Sequence, residues 1–265
     1  MEAIVRRWYR PAAVGLTVAF GLMAVGIAEA EWREAVRLGV PGQDFFQYLE
    51  ATRRWIAVGT PYVGSEVAAP FIPGPTTFLH PPVALPLFAA FLLLPAVLWW
   101  AVPIGTLTWA LWSWRPAPWT WPIIAAVLML PRGHIIVIFG NSDLWVLAVV
   151  AAGLRFGWPT PLIAIKPSLW PLMLVGVGMR DWWSTAAVVV VAGILFGPLW
   201  LDWLAVIRHS PMDWTYSLSS LPVLALPFVA WAGRTRPVRP VPNVARFVRR
   251  SPIAGSGATA VRSGT

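Results

Sequence analysis

Residues 67–114 read VAAPFIPGPTTFLHPPVALPLFAAFLLLPAVLWWAVPIGTLTWALWSW, 48 positions without one Asp, Glu, Lys or Arg. At ~1.5 Å of rise per helical residue, such a run can cross a ~30 Å hydrocarbon layer more than once. Prolines 86, 95 and 103 interrupt it. Residues 83–114 therefore make either one bent crossing or several short ones. To the N-terminal side, PAAVGLTVAFGLMAVGIA at 11–28 is also free of charge. It would span ~27 Å. A basic stretch precedes it, as in a signal peptide, but no small-x-small cleavage site stands before Glu31, so a retained helix is expected. To the C-terminal side, uncharged runs cover 116–131, 144–154, 156–165, 167–179, 182–201 and 214–233. The middle three are too short for ordinary spans, and broken helices at membrane depth need protein or a wet cavity around them.

Composition agrees with this pattern. The chain has 265 residues, 58% hydrophobic and 12% charged, with a mean hydropathy of +0.67. Soluble domains carry roughly 25% charged residues, which argues against a soluble globular enzyme. Cysteine is absent. That excludes a disulfide framework, a thiol nucleophile, a zinc ribbon and an iron–sulfur site. The three histidines, at 80, 134 and 209, are too scattered to suggest a metal cage.

The net charge of +9 sits at the two ends. Arg6, Arg7 and Arg10 stand against Glu2, and residues 234–265 hold seven arginines and no acid. A basic chain often binds nucleic acid. Here two cytoplasmic flanks obeying the positive-inside rule explain the charge better. The N-terminus, Arg115, Arg155, Arg180 and the tail from Arg234 then lie in the cytoplasm. Residues 29–82, 132–143 and 201–213 fall outside. The expectation is an all-α, polytopic bundle in the cell membrane, with about eight crossings and both termini cytoplasmic, if 159–179 forms a short in–out–in pair. Tryptophan numbers 19. Many, including Trp99, Trp100, Trp200 and Trp203, sit near the proposed boundaries, as an interfacial belt would. Residues 1–233 form the membrane domain, and 234–265, rich in Arg, Pro, Gly and Ser, read as a disordered tail.

The outer segment 29–82 contains PGQDFFQYLEATRRWIAVGTPYV. Apolar residues at 45, 48, 49, 55 and 56 follow helical spacing. Glu50 and Arg54 are an i,i+4 pair in the favourable order, and Gly59-Thr60-Pro61 ends the helix. This predicts an amphipathic helix over 43–58 on the outer membrane surface. Asp44 opens it. It is either an N-cap or a first-turn acid complementing the helix dipole. It is equally a carboxylate held at the boundary beside Arg53 and Arg54, able to take a proton from a hydroxyl.

A resemblance enters at this point. Asp44-Phe45-Phe46-Gln47-Tyr48, Gly59-Thr60-Pro61-Tyr62 and Phe78-Leu79-His80-Pro81-Pro82 follow a first helix in order. Phe139-Gly140-Asn141-Ser142-Asp143-Leu144 and Ala164-Ile165-Lys166-Pro167 come next. Over residues 10–205 this series resembles the GT-C glycosyltransferases, and more narrowly the polyprenol-phosphate-mannose-dependent mannosyltransferases of glycosyltransferase family 87. His80 stands where that family usually has Tyr, and Asn141-Ser142-Asp143 replaces its Gln-x-Asn turn. The resemblance implies a GT-C-like fold and transfer of a mannose-like sugar from a polyprenyl-phosphate donor to a glycan or glycolipid acceptor. It also matches Asp44 to the family's catalytic acid. No cofactor beyond the lipid-linked donor is expected, and no metal. No P-loop or dinucleotide fingerprint occurs.

Lys166 is the only lysine among twenty basic residues. A lysine at the centre of a spanning helix costs ~2.5–3.5 kcal/mol. It either snorkels to a headgroup from a short helix end or faces a cavity and holds a phosphate. Arg132, His134, Asn141 and Asp143 crowd the short outer turn. They are a solvated loop, or else Arg132 and His134 contact a lipid phosphate. His80 is a hydrogen-bonding site residue or an exposed turn histidine. Asp202, Arg208, His209 and Asp213 read as solvated. A second function stays open: a non-catalytic membrane scaffold with a protein partner, or a small transporter. Convergence of Asp44, Lys166 and the 132–143 turn on one cavity discriminates between them.

Overall fold

The computed structural model describes residues 2–156, 160–166, 169, 179–211 and 220–236. Their regular structure is all helical, with no strand among them beyond one isolated antiparallel bridge, Pro116 to Arg234.

Helix α1 runs unbroken over Glu2–Leu38, ~55 Å at the usual rise. It outruns the expected span at 11–28 because its C-terminal end carries its own charge pairs. Arg33 bonds Glu29 one turn before it, and Arg37 bonds Glu34. Ala13, Ala24 and Ala35 are buried. Each lies three helical turns from the last, so one small-residue face packs on later helices. Val14, Leu22 and Val25 are exposed.

Helix α2, Gln43–Val58, occupies the range its periodicity predicts. Its apolar face does not rest free on the outer surface. Phe45, Tyr48, Leu49 and Ala51 are buried against the protein core. Phe45 lies 5.3 Å from Trp99, and Tyr48 stacks on Phe88 at 4.6 Å. Such aromatic pairs contribute ~0.5–1.5 kcal/mol each beyond their burial. Helix α3 is a short turn at Gly64–Ala68.

Prolines then cut the long uncharged run. A 3₁₀ turn, Pro82–Ala84, leads into α4, Leu85–Ala90, and α5 follows at Leu98–Trp114 with Pro103 inside it. Helices α6 (Thr120–Leu128) and α7 (Pro131–Ile138) meet at a 68° bend where Pro131 forbids continuation. Helix α8, Asp143–Phe156, is buried on nearly every side. A helix apolar all round belongs in a core. Residues Thr160–Ile165 form a 3₁₀ turn, not a span. Helices α9 (Met179–Phe196) and α10 (Leu199–His209) meet at 104°, at Gly197–Pro198. Short α11, Leu221–Leu224, and α12, Leu226–Ala232, close the chain against α5, α6 and α8.

Among the described residues one helix, Trp8–Leu38, is long and apolar enough to cross a membrane alone, and up to three spans result if each bent pair counts as one. The run 167–179, which the in–out–in pair requires, lies almost wholly outside the described residues, as do Asp213 and residues 237–265 of the tail. The start of the tail is held. The Thr235 N–H donates to Trp114 O at 3.2 Å, and the Arg234 guanidinium lies 4.0 Å above the Trp231 ring.

The tryptophans at 99 and 100 are not interfacial anchors. Trp99 is fully buried, and its indole N–H donates to Gly140 O at 2.8 Å. The Trp100 indole donates to Val137 O at 2.7 Å. Together they clamp the turn between α7 and α8. Gly140 sits there at φ 69, and a Cβ on it would come 2.7 Å from the Trp100 ring. Only glycine fits both the left-handed backbone and that close approach.

Candidate functional site

Two helix ends meet at the site. The first N–H groups of an α-helix lack internal partners. In α2 they are satisfied by the last carbonyls of α7. Gly42 N–H donates to Ile138 O at 2.8 Å, and Asp44 N–H donates to Phe139 O at 3.0 Å. Gly42 itself is the N-cap, in the left-handed region at φ 73. Asp44 is thus a first-turn acid and not the cap. Its carboxylate points across the junction and accepts a hydrogen bond from Asn141 Nδ2 at 2.6 Å.

Asn141 works in two directions. Its Oδ1 accepts the Asp143 backbone N–H at 2.9 Å, an Asx turn that starts α8. The amide can satisfy both partners in one orientation only, with oxygen toward that N–H and nitrogen toward Asp44. Burial raises the Asp44 pKa above its ordinary value. The Asn141 hydrogen bond and the Lys166 and Arg132 charges pull it back down, less strongly.

Asp143 differs from its expected place. It is fully buried and does not line the cavity. One oxygen carries Lys166 Nζ. The other has no hydrogen-bond donor among the described residues, with Arg132 Nη2 at 4.0 Å. Arg132 is itself oriented by Ser220, whose Oγ accepts from Nε at 2.8 Å. One buried anion thus stands behind two cations that reach the cavity.

The cavity is a cleft of about 640 Å³. Asp44, Tyr48, His80, Arg132, Asn141 and Lys166 line it. Lys166 is 23% exposed, and the short 3₁₀ turn before it delivers its ammonium to the cleft. His80 is partly buried. Its Nδ1 donates to Ile165 O at 3.3 Å, which leaves Nε2 to accept from Ser142 Oγ at 3.4 Å. Burial, then the Lys166 charge, lowers its pKa to about 4. The ring is therefore neutral at physiological pH.

Tyr48 and Ser142 belong to the site although the sequence did not single them out. Ser142 N–H donates to Tyr48 Oη at 3.3 Å. Burial raises the Tyr48 pKa well above its usual value, so the phenol stays protonated. The spacing held the signal: Tyr48 lies four residues after Asp44, on the same helix face. Ser220 and Trp203 gave no such signal.

Three expected residues lie elsewhere. Arg53 pairs with Glu50 at 3.6 Å on the exposed face of α2. Arg54 does not meet Glu50; it donates to Pro61 O at 2.8 Å, because the left-handed cap at Gly59 turns the chain back over it. His134 faces α1, with Nδ1 3.0 Å from Glu31 Oε2. A helix turns ~100° per residue, so positions two apart cannot share a face. Arg132, with Ile135 and Phe139, faces the cleft, and His134 cannot.

The third flank of α7 borders a second hollow. Gly133, Ile136 and Val137, with Leu107, Leu111 and Leu147, line an apolar groove of about 230 Å³. Among the described residues, no group of three or more His, Asp or Glu is placed to hold a metal ion. No family model matches the chain, and no curated protein or solved structure is significantly similar to it.

Proposed function

We propose that the chain is a multi-pass membrane glycosyltransferase. It moves a mannose-like sugar from a polyprenyl-phosphate donor to a glycan or glycolipid acceptor outside the cytoplasm, with inversion. The bundle would cross the membrane about eight times, with both termini cytoplasmic, as the distribution of arginines suggests. The observation that carries the reading is a hydrogen-bonded carboxylate, Asp44, sharing one cleft with Arg132 and Lys166.

The chemistry follows from the layout. The acceptor O–H gives its proton to Asp44 as its oxygen attacks the anomeric carbon. The bond from that carbon to the phosphate oxygen breaks on the opposite face. The electron pair leaves with the polyprenyl phosphate, whose growing negative charge Lys166 and Arg132 stabilise. Asn141 holds the carboxylate in place, and the raised Asp44 pKa makes it a stronger base than an exposed aspartate. The apolar groove on the other flank of α7 suits a later stretch of the donor's isoprenoid chain. A partner chain covering the exposed apolar helices is compatible with this scheme.

Asp44→Asn keeps the size of the side chain and removes the base. Transfer from polyprenyl-phospho-mannose by purified protein should fall by about 10²–10⁴-fold. Unchanged transfer overturns the assignment. That the acid and the lysine reach the same cavity favours transfer over the scaffold reading.

A further inference from the structure

The cleft has a second wall that the transfer scheme leaves unused. Leu79, Pro81, Trp203 and Ile207 form it. Trp203 and Ile207 are one turn apart on α10. The Trp203 ring is half-buried and fixed. Its indole N–H, the only polar atom it has, donates to Leu79 O at 3.0 Å, and Trp200 packs edge-to-face against it at 5.6 Å. A belt tryptophan turns its N–H toward headgroups and water. This one directs the N–H into the protein backbone and leaves ring surface on the cleft. The rim above is held in place as well: Gln47 Nε2 donates to the carbonyls of Thr77 and Gly74.

We infer that Trp203 is the platform on which a pyranose ring lies in the cleft. A pyranose has a face of C–H bonds made electropositive by their oxygens and a rim of hydroxyls. The negative face of an indole meets the first, while Asp44, Asn141 and Gln43 are available to the second. The inference rests on the glycosyl-transfer reading for its ligand class and adds the residue that holds the sugar. The ring belongs to the donor or to the acceptor; both present the same chemistry.

The test is saturation-transfer NMR with methyl α-mannopyranoside on protein in sugar-free nanodiscs. Wild type should transfer magnetisation to the sugar's C–H protons. Trp203→Leu, which keeps apolar bulk and removes the π face, should weaken binding about tenfold, or ~1.4 kcal/mol. Trp203→Phe should retain most of it. Unchanged binding in Trp203→Leu, or an equal loss in Trp203→Phe, overturns the platform. So does displacement of the probe from wild type by a long-chain alkane alone. In transfer assays, Trp203→Leu should raise KM for the sugar-bearing partner that occupies this wall, donor or acceptor, with little change in kcat. Binding is read without turnover, so it can stand if the transfer reading falls. A transfer reading upheld by Asp44→Asn can likewise coexist with a failed platform.

Discussion

Helix α7 separates two hollows of opposite character. On one flank lies the larger cleft, with its acid, two cations and bound amide; on the other lies a groove lined almost entirely by aliphatic side chains. Arg132 and Ile135 of α7 face the first, and Gly133, Ile136 and Val137 the second. The contrast shows how a short helix, too short to cross a bilayer, earns its position: each of its faces is already committed. The cleft is organised by hydrogen bonds whose geometry is exacting. The groove is organised by volume alone.

The largest test of that contrast is to remove the cation that Asp143 supports. Lys166→Met strands a fully buried carboxylate, and breaking such a pair costs ~3–5 kcal/mol. Thermal unfolding in detergent should register this as a markedly lower Tm. The double change Lys166→Met with Asp143→Leu should recover the Tm but not sugar transfer. If the double variant transfers normally, Lys166 is structural only.

Gly140→Ala attacks the turn between α7 and α8. It combines a left-handed backbone with a 2.7 Å clash against Trp100. A loss of ~1–3 kcal/mol is expected, read again by Tm. A neutral outcome would mean that the clamp yields.

Filling the groove should act differently. Ala151→Leu adds bulk to its wall. It should raise KM for a long polyprenyl donor while leaving kcat near wild type, an effect of about tenfold or less. A fall in kcat with KM unchanged would separate the groove from donor binding.

The smallest effects are those of pH. Asp44 must be ionised to accept a proton, and its pKa is raised. The acid limb of the rate profile should therefore lie above the ordinary aspartate range, and a limb near pH 4 or below would contradict it. His80 acts on stability. Its folded pKa is depressed to about 4 from an ordinary 6.5. The unfolded chain then binds the proton that the native chain refuses, so stability should fall as pH drops from about 6.5 toward 4. His80→Asn should flatten that slope in Tm-versus-pH measurements.

Periodicity located α2 to the residue, because an amphipathic stripe ended by glycines at 42 and 59 is a local signal. The membrane-length reading of the other runs fared less well. Apolarity was legible, but the partition of it was not: α8 is apolar because protein surrounds it, and α1 is apolar with much of its surface outward. Composition cannot distinguish those two environments. For the site, residue type announced Asp44 and Lys166, while the pairing of Lys166 with Asp143 depends on a contact across 23 positions. Arg53 and Arg54 were drawn in by proximity in sequence. Helical geometry sends Arg53 to the outer face of α2, and the turn after Gly59 engages Arg54.

The junction of α2 with α7 has a mechanical corollary. Because the amides that open one helix grip the carbonyls that close the other, the carboxylate of Asp44 and the guanidinium of Arg132 ride on a common lever whose fulcrum is the 68° elbow at Pro131. Any motion at this elbow would carry both groups together and keep their spacing.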